Sequence, residues 1–373
     1  MAKAMITAAG VFTPEAVITN AELAAAFNAY AAIQNDRHAD EIAAGTRQPV
    51  ALSSEEFIVK ASGIERRHVM EKSGVLDPAR MYPHFAERSD DELSLMAEIA
   101  VKAAKAAMDK IGRSAADIDA VICAASNMER AYPAIAIEVQ KALGISGFAF
   151  DMNVACSSAT FGIQAAAGMI LSGAARSILM VNPEITSGHL EWRDRDCHFI
   201  FGDVCTAVLI ESEAMAGEGA WEIVSTRCKT EFSNNIRNNA GFLRRTRDGH
   251  MEDRRDMLFR QEGRKVFREV VPMVAEMMQS HLRDEGFAPA NLSRMWLHQA
   301  NKGMNDLIGA RVLGRTPEPG EQPNILQDYA NTSSAGSIIA FEKYSGDLEK
   351  GSLGMICSFG AGYSVGSVIL RRT

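Results

Sequence analysis

The sequence predicts an α/β protein made of two similar halves. Short apolar runs bounded by Gly, Pro, Asn or Asp, which are typical of buried strands, alternate with amphipathic stretches of helical period. The order strand, helix, loop, helix occurs twice along the chain. Strands that are apolar throughout and separated by helices favour a sheet that helices cover on both faces.

The individual elements follow from these patterns. The predicted strands are Met5–Thr7, Ala120–Ala125, Phe148–Val154, Ser177–Val181, Thr206–Ile210, Arg294–His298, Met355–Phe359 and Ser367–Leu370. The predicted helices are Leu93–Lys110, Ala136–Leu143, Ala159–Leu171, Gly263–Leu282, Asn305–Leu313 and Ser337–Tyr344.

The internal repeat relates two short regions of the chain. In the first half, the strand Ala120–Ala125 is followed by a helix, and Cys156 then opens the next helix. In the second half, the strand Arg294–His298 is followed by a helix, and Asn331 opens the next one. This pseudo-symmetry predicts that the two helix starts lie close together.

The repeat also predicts the domain organisation. We expect an N-terminal half over residues 1–212 and a C-terminal half over residues 213–373. Residues 29–52 and 72–92 are polar and contain helix-breaking prolines, so they are interpreted as excursions from the first half. Long loops of this kind often cover a binding site.

The composition excludes several classes of protein. With 373 residues, 47% hydrophobic and 23% charged, the chain is not expected to be disordered, collagen-like or a coiled coil. Its net charge of −8 would repel phosphate backbones, so nucleic acid is not expected as a partner. No apolar run approaches the ~18 residues of a membrane span, and the first 20 residues lack the pattern of a secretory signal. We therefore expect a cytoplasmic protein without membrane association.

The six cysteines are scattered and include no C-x-x-C pair. A zinc site needs closely spaced ligands, so no metal is expected. A disulfide framework is not expected in a cytoplasmic chain of this length. Most of these cysteines are interpreted as small buried hydrophobic residues.

Cys156 is the exception, because it lies between an apolar strand and an Ala-rich helix. A helix start offers unpaired N–H groups and a partial positive charge, and both stabilise a thiolate. The position therefore predicts a nucleophile with a lowered pKa. The alternative is a cysteine packed in the core.

His298 and Asn331 are the candidate partners of Cys156. His298 ends a strand, and open α/β sheets bind their ligands at the carboxyl edge. Asn331 opens the helix that the repeat pairs with the Cys156 helix. The alternatives are a hydrogen-bonded structural histidine and an ordinary N-cap asparagine.

A glycine-containing turn, Phe359-Gly-Ala-Gly-Tyr363, lies between two C-terminal strands. Glycines permit a sharp turn and a close approach of the backbone to a ligand. An exposed N–H in this turn could complete an oxyanion hole with the N–H of Cys156. The spacing does not fit a dinucleotide-binding fingerprint.

Together, four motifs identify a family resemblance. They are Val154-Ala-Cys-Ser-Ser158, His298-Gln-Ala-Asn301, Asn331-Thr-Ser-Ser334 and Phe359-Gly-Ala-Gly362. In this order and spacing they resemble β-ketoacyl-acyl-carrier-protein (ACP) synthase III of the thiolase superfamily. The resemblance implies a thiolase-like five-layered α-β-α-β-α fold, a homodimer and no cofactor beyond the CoA thioester substrate. Residues 29–52 resemble the subgroup that forms medium-chain products such as 3-oxodecanoyl-ACP.

The resemblance also implies a mechanism. Cys156 would take the acyl group from an acyl-CoA, and His298 and Asn331 would hold the malonyl-ACP carbonyl and stabilise the enolate formed on decarboxylation. The N–H groups of Cys156 and Ala361 would form the oxyanion hole. An imidazole and an amide suit an enolate, because they donate hydrogen bonds without protonating the carbanion.

Further positions match substrate-contacting residues of the family. Phe359 matches the aromatic residue beside the malonyl pocket, and Tyr132 matches a position that helps to set acyl-chain length across the dimer interface. Phe57 replaces a Trp that stacks on the CoA adenine, and Arg195 matches one arginine of that clamp. Ala61 replaces the other arginine, so CoA could be held differently.

Two cations match the carrier-protein docking patch of the family. Arg268 and Lys302 would attract an acidic carrier protein, although either could equally be an ordinary solvated cation. The alternatives to the main hypothesis are a condensing enzyme or acyltransferase of a secondary or signalling pathway, a non-catalytic partner subunit, and a cysteine hydrolase.

Overall fold

The computed structural model describes residues 2–238 and 257–373. The described strands are β1 Ala4–Phe12, β2 Val17–Thr19, β3 Arg66–His68, β4 Ala120–Ala124, β5 Phe148–Met152, β6 Ser177–Glu184, β7 Val204–Ser212, β8 Trp221–Thr230, β9 Ile236–Arg237, β10 Arg260–Gln261, β11 Leu292–Leu297, β12 Leu353–Gly360 and β13 Ser364–Arg372. The described helices are α1 Asn20–Arg37, α2 Ala39–Ala43, α3 Glu55–Ser62, α4 Ser73–Leu76, α5 Leu95–Lys110, α6 Ile135–Leu143, α7 Ser158–Ser172, α8 Gly263–Asp284, α9 Lys302–Leu313, α10 Leu326–Tyr329 and α11 Gly336–Lys343.

The main sheet repeats one strand order in the two halves of the chain. From the central antiparallel β1–β8 pair, the order runs β1-β7-β6-β4-β5 on one side and β8-β13-β12-β11 on the other. On each side the strands nearest the centre are antiparallel, and the outer pairs β6–β4–β5 and β12–β11 are parallel. The boundary proposed at residue 212 coincides with the end of β7 and stays a prediction as a domain boundary.

The two halves of the main sheet and three sets of helices form five layers, which pack together through three hydrophobic clusters. Helices α5 and α6 pack on the outer face of the first half of the sheet, and α8 and α9 pack on the outer face of the second half. Helices α7 and α11 lie between the two halves and share one core with strands from both. The expected five-layered α-β-α-β-α architecture is thereby confirmed.

The central helix α7 is apolar, and about half of the stretch that contains it is buried. In the described part of the chain, one stretch, Ala155–Ser172, is long and apolar enough in composition to cross a bilayer. Ala159, Ile163 and Ala166 on this stretch are fully buried in the shared core. A helix that is hydrophobic around most of its circumference is expected at the centre of a protein of this size.

The polar excursion at residues 29–52 differs from the expectation of a loop. It contains the second half of α1 and all of α2, and a capping box between Thr19 and Glu22 begins the longer helix. Asn28 forms two hydrogen bonds with the backbone of Ser53, and Asn35 forms two with the backbone of Val50. These two amide side chains on α1 hold the segment at residues 50–53, where the excursion ends, against the helix.

Candidate active site

Cys156 lies in a tight turn between β5 and α7. The residue before it, Ala155, has a φ of +48°, a conformation that costs free energy for any residue with a Cβ. The N–H of Ala155 donates to the side-chain oxygen of Asn153 at 2.8 Å, and the N–H of Ser157 donates to the carbonyl of Val154 at 3.0 Å. These contacts hold the sulfur at the start of the central helix.

Ser333 connects all three candidate catalytic residues. Its hydroxyl donates a hydrogen bond to the sulfur of Cys156 at 3.3 Å, and its N–H donates to Oδ1 of Asn331 at 2.8 Å. The backbone of Ser333 also lies beside the His298 ring. The structure therefore brings the sulfur, the imidazole and the amide to one place, where two turns from different halves of the chain meet.

His298 is a buried and neutral imidazole. It follows β11, and its backbone N–H donates to the carbonyl of Cys357 at 2.8 Å. Its ring lies edge-on to the ring of Phe359, with a distance of 5.1 Å between the two centroids. Burial lowers the pKa of His298 to about 4, so the ring is uncharged at neutral pH. Its Nδ1 has no hydrogen-bond partner among residues 2–238 and 257–373.

Asn331 is fixed by its backbone and by one side of its amide. Its N–H donates to the carbonyl of Ile200 at 2.9 Å, and its carbonyl accepts from the N–H of Gly202 at 3.2 Å. Because Oδ1 already accepts from Ser333, the side-chain NH₂ is the group left to donate to a ligand. Asn331 precedes α11 by several residues and does not cap it directly.

The expectation of a lowered thiol pKa is wrong for this structure. Loss of water around the sulfur raises the pKa of Cys156 to about 11. The hydroxyl of Ser333 and the N–H groups of Ala361 and Cys156 act in the opposite direction, but they do not outweigh the loss of hydration. The same two N–H groups are the predicted oxyanion-hole donors, and both face the sulfur.

The turn between β12 and β13 packs directly on the nucleophile. A Cβ added to Gly360 would lie 2.6 Å from the Cβ of Cys156 and 3.0 Å from its sulfur. Only glycine permits this approach, which places the N–H of the following Ala361 beside the thiol.

A large open cleft lies on the first half of the protein. It has a volume of about 1060 Å³, and residues 84–90 and Glu92 of the second excursion form part of its wall. Its apolar wall contains Met70, Phe85, Met96, Met128 and Ile185. Tyr132 lies at the same cleft, with 85% of its surface exposed.

The two side chains of the predicted CoA clamp, Phe57 and Arg195, contact each other. The guanidinium carbon of Arg195 lies 3.7 Å above the ring centroid of Phe57, and Nε of Arg195 donates to the carbonyl of Leu52 at 2.6 Å. Ala61, at the position of the missing arginine, instead contributes a carbonyl that accepts from Asn301 at 2.7 Å.

The two predicted docking cations lie on the surface. Arg268 is exposed on α8, and Lys302 is exposed at the start of α9. Lys302 forms an ion pair with Asp306 at 2.6 Å. Within the described ranges, no group of three or more His, Cys, Asp or Glu side chains could hold a metal ion.

Comparison with known proteins identifies the family. Residues 150–231 match 3-oxoacyl-[acyl-carrier-protein] synthase III, and residues 282–372 match its C-terminal part. The chain is 58% identical to the β-ketodecanoyl-[acyl-carrier-protein] synthase of Pseudomonas aeruginosa, over 93% of this chain and 99% of the relative. It is 31% identical to the β-ketoacyl-[acyl-carrier-protein] synthase III of Rhodobacter capsulatus, over 86% and 91% of the two chains.

The chain belongs to the β-ketoacyl-ACP synthase III family. It is therefore a condensing enzyme of the acyltransferase class in fatty acid biosynthesis, and the non-catalytic alternative is removed. Solved structures of β-ketoacyl-ACP synthase III share the fold. The enzyme from Pseudomonas aeruginosa matches with a TM-score of 0.75 at 24% identity, covering 99% of this chain and 98% of the other. The priming β-ketosynthase of the R1128 polyketide pathway matches with a TM-score of 0.76 at 22% identity, covering 99% and 96%.

Proposed function

We propose that this synthase joins a medium-chain acyl-CoA to malonyl-ACP, giving 3-oxoacyl-ACP, CoA and CO₂. The observation that carries the proposal is the convergence of Cys156, His298 and Asn331 on Ser333. One sulfur and two uncharged donors in a shared, poorly hydrated place suit a thioester and an enolate that react with each other.

The first half-reaction is acyl transfer to Cys156. The thiol loses its proton and attacks the acyl-CoA carbonyl, and CoA leaves with a proton. The N–H groups of Cys156 and Ala361 would hold the oxyanion of the tetrahedral intermediate, and their interaction with the sulfur supports this assignment.

The second half-reaction is decarboxylation followed by carbon–carbon bond formation. The bond to the malonyl carboxylate breaks, CO₂ leaves, and the electron pair forms an enolate whose oxygen accepts from His298 and Asn331. A neutral imidazole suits this role, since a ring with a pKa of about 4 does not protonate the carbanion at neutral pH. The enolate carbon then attacks the acyl-Cys156 carbonyl and releases the thiolate.

The proposed primer is an eight-carbon acyl-CoA. The relative that is 58% identical is named for a β-ketodecanoyl product, and condensation with malonyl-ACP adds two carbons to the primer. The cleft of about 1060 Å³, with its Met and Phe side chains, offers room and apolar surface for such a chain. Tyr132 at this cleft is the residue to which we assign a role in chain length.

The contacts to CoA and to the carrier protein are also proposals. Phe57 and Arg195 would bind the CoA nucleotide, which requires the guanidinium to leave the ring face it now covers. Arg268 and Lys302 would dock the acidic carrier protein. The chemistry needs no cofactor beyond the thioester, and we propose a cytoplasmic homodimer in which the exposed Tyr132 meets the partner.

Intact-mass measurement after incubation with acyl-CoAs of two to sixteen carbons tests the function. The wild-type protein should gain one acyl group, fastest with the eight-carbon primer, and Cys156→Ser should gain none. Cys228→Ser is the matched control, because Cys228 is also partly exposed but lies on β8 outside the site. A normal mass gain in Cys156→Ser would remove Cys156 from the mechanism.

A further inference from the structure

Glu184, the last residue of β6, is a buried carboxylate held by uncharged donors. Only 1% of its surface is exposed, and it forms no ion pair with a described residue. It accepts from the N–H of Ser126 at 3.0 Å and from its hydroxyl at 2.5 Å. It also accepts from the N–H of Ser334 at 3.2 Å and from the hydroxyl of Ser334. A buried charge without a cation costs free energy, which these four hydrogen bonds partly offset.

The first serine leads to the turn that carries the nucleophile. The carbonyl of Ser126 accepts from the amide of Asn153 at 2.9 Å, and the oxygen of that amide accepts from the N–H of Ala155 at 2.8 Å. Ala155 is the positive-φ residue directly before Cys156. Ser126 and the side chain of Asn153 thus connect Glu184 to the turn that positions the sulfur.

The second serine leads to the turn that carries the enolate donors. Ser334 directly follows Ser333, whose N–H donates to Oδ1 of Asn331 and whose backbone lies beside the His298 ring. Glu184 therefore joins one turn from each half of the chain. Burial raises the pKa of Glu184 to about 7, so the hydrogen bonds do not fully compensate for its lost hydration.

We propose that Glu184 is a positioning residue that sets the separation between the acyl-carrying sulfur and the enolate. This inference rests on the roles proposed above for Cys156, His298 and Asn331. Acyl transfer depends on the turn around Cys156, and decarboxylation depends on His298 and Asn331. Carbon–carbon bond formation depends on both turns lying at the correct distance from each other.

A misplaced enolate has a second fate that can be measured. After CO₂ leaves, the enolate carbon either attacks the acyl-Cys156 carbonyl, forming a carbon–carbon bond and releasing the thiolate, or takes a proton from water. The first outcome gives 3-oxoacyl-ACP, and the second gives acetyl-ACP while Cys156 stays acylated. The ratio of these two products therefore measures whether the two turns lie at the correct distance from each other.

Glu184→Gln tests the inference because it keeps the shape, removes the negative charge and places an NH₂ group against the hydroxyl of Ser126. We expect acyl transfer and CO₂ release to stay within about threefold of the wild type, and 3-oxoacyl-ACP formed per CO₂ to fall at least about tenfold. Intact mass, CO₂ release and chromatography of the two ACP products supply the three readouts. An unchanged product ratio, or an equal fall in all three rates, would overturn the inference.

Glu211→Gln is the matched control. Glu211 is also fully buried, but it accepts from Arg113 and Ser177 and contacts neither catalytic turn. We expect the wild-type product ratio, and a shifted ratio in this variant would count against the inference.

Two further variants keep the test decisive if Glu184→Gln does not fold. Ser126→Ala and Ser334→Ala each remove one hydroxyl donor to Glu184, and each should shift the ratio towards acetyl-ACP. An unchanged ratio in both would overturn the inference. Failure of the proposed function is distinguishable, because the wild-type protein itself would then neither acquire an acyl group nor release CO₂.

Discussion

The hydroxyl of Ser333 lies 3.3 Å from the sulfur of Cys156 and donates a hydrogen bond to it. Ser333 adopts a positive φ of +50°, its hydroxyl donates to the sulfur of Cys156, and its N–H donates to Oδ1 of Asn331. A single residue from the second half of the chain therefore affects both the reactivity of the nucleophile and the orientation of the enolate donors.

Replacing Ser333 with Ala should make the thiol less reactive. The hydroxyl lowers the pKa of Cys156 by stabilising the thiolate, so its loss raises that pKa further and leaves less thiolate at any pH below it. We expect alkylation of Cys156 by iodoacetamide at pH 8 to slow about tenfold, and its pH midpoint to move upwards. Alkylation of the partly exposed Cys228 in the same sample is the internal control. An unchanged or faster rate at Cys156 would contradict this role.

Ser333 also shows what the sequence could and could not predict about the site. Cys156, His298 and Asn331 were recognisable because each follows or opens a regular element at a matching place in an internal repeat. Ser333 occurred only within the motif that begins at Asn331, since its contacts depend on a backbone conformation that residue type does not reveal. The direction of the Cys156 pKa shift was also missed, because it depends on how completely the folded chain removes water from the sulfur.

The fold also contains elements that the sequence predicts and elements that it does not. Fully apolar strands such as β4 and β12 were predicted within one or two residues, because continuous burial gives a clear signal. Strand β8 is not among the predicted strands, since its residues are mostly half-buried and form neither a continuous apolar run nor a regular alternation of apolar and polar side chains. Helix α1 is not among the predicted helices, although Leu23, Phe27 and Ala31 are buried on one face of it, because its second half is largely exposed.

Gly360→Ala should abolish acyl transfer while preserving the fold. The added methyl group would lie 2.6 Å from the Cβ of Cys156, so the turn or the nucleophile must shift. We expect the rate of acyl-enzyme formation, measured by intact mass, to fall at least about a hundredfold. Gly346→Ala is the matched control, because a Cβ there meets no atom within 4 Å. Normal acyl transfer in Gly360→Ala would mean that the close packing has no bearing on the nucleophile.

His298→Ala should separate the two half-reactions. The imidazole is assigned to the enolate and not to the thiol, so acyl transfer should stay within about threefold while decarboxylation of malonyl-ACP falls roughly a hundredfold or more. Intact mass and CO₂ release measure the two steps in the same sample. His281→Asn, at a buried histidine between Ser225 and Ser367, should retain both steps. Loss of acyl transfer with intact decarboxylation would reverse the assigned roles.

Buried histidines should make the protein sensitive to acid. Burial lowers the pKa of four of them from 6.5 to about 4, namely His189, His198, His281 and His298. Between these two pH values the unfolded chain binds histidine protons that the folded chain does not, so stability falls as pH falls. Burial also raises the pKa of Glu184 to about 7 and that of Asp203 to about 6, which acts in the opposite direction because the folded chain binds these protons first.

Near pH 5 the histidines outweigh the carboxyl groups. Roughly four histidine protons against two carboxyl protons leave about two more protons on the unfolded chain, and solvent screening at the less buried His281 reduces the effect to about 2 kcal/mol per pH unit. We expect the free energy of unfolding in urea to decrease with this slope from pH 6 to pH 5. His198→Gln removes one of the four groups and should reduce the slope by roughly half, since it removes about one of the two net protons. A free energy of unfolding that stays constant or rises on acidification would show that the buried histidines gain protons without unfolding.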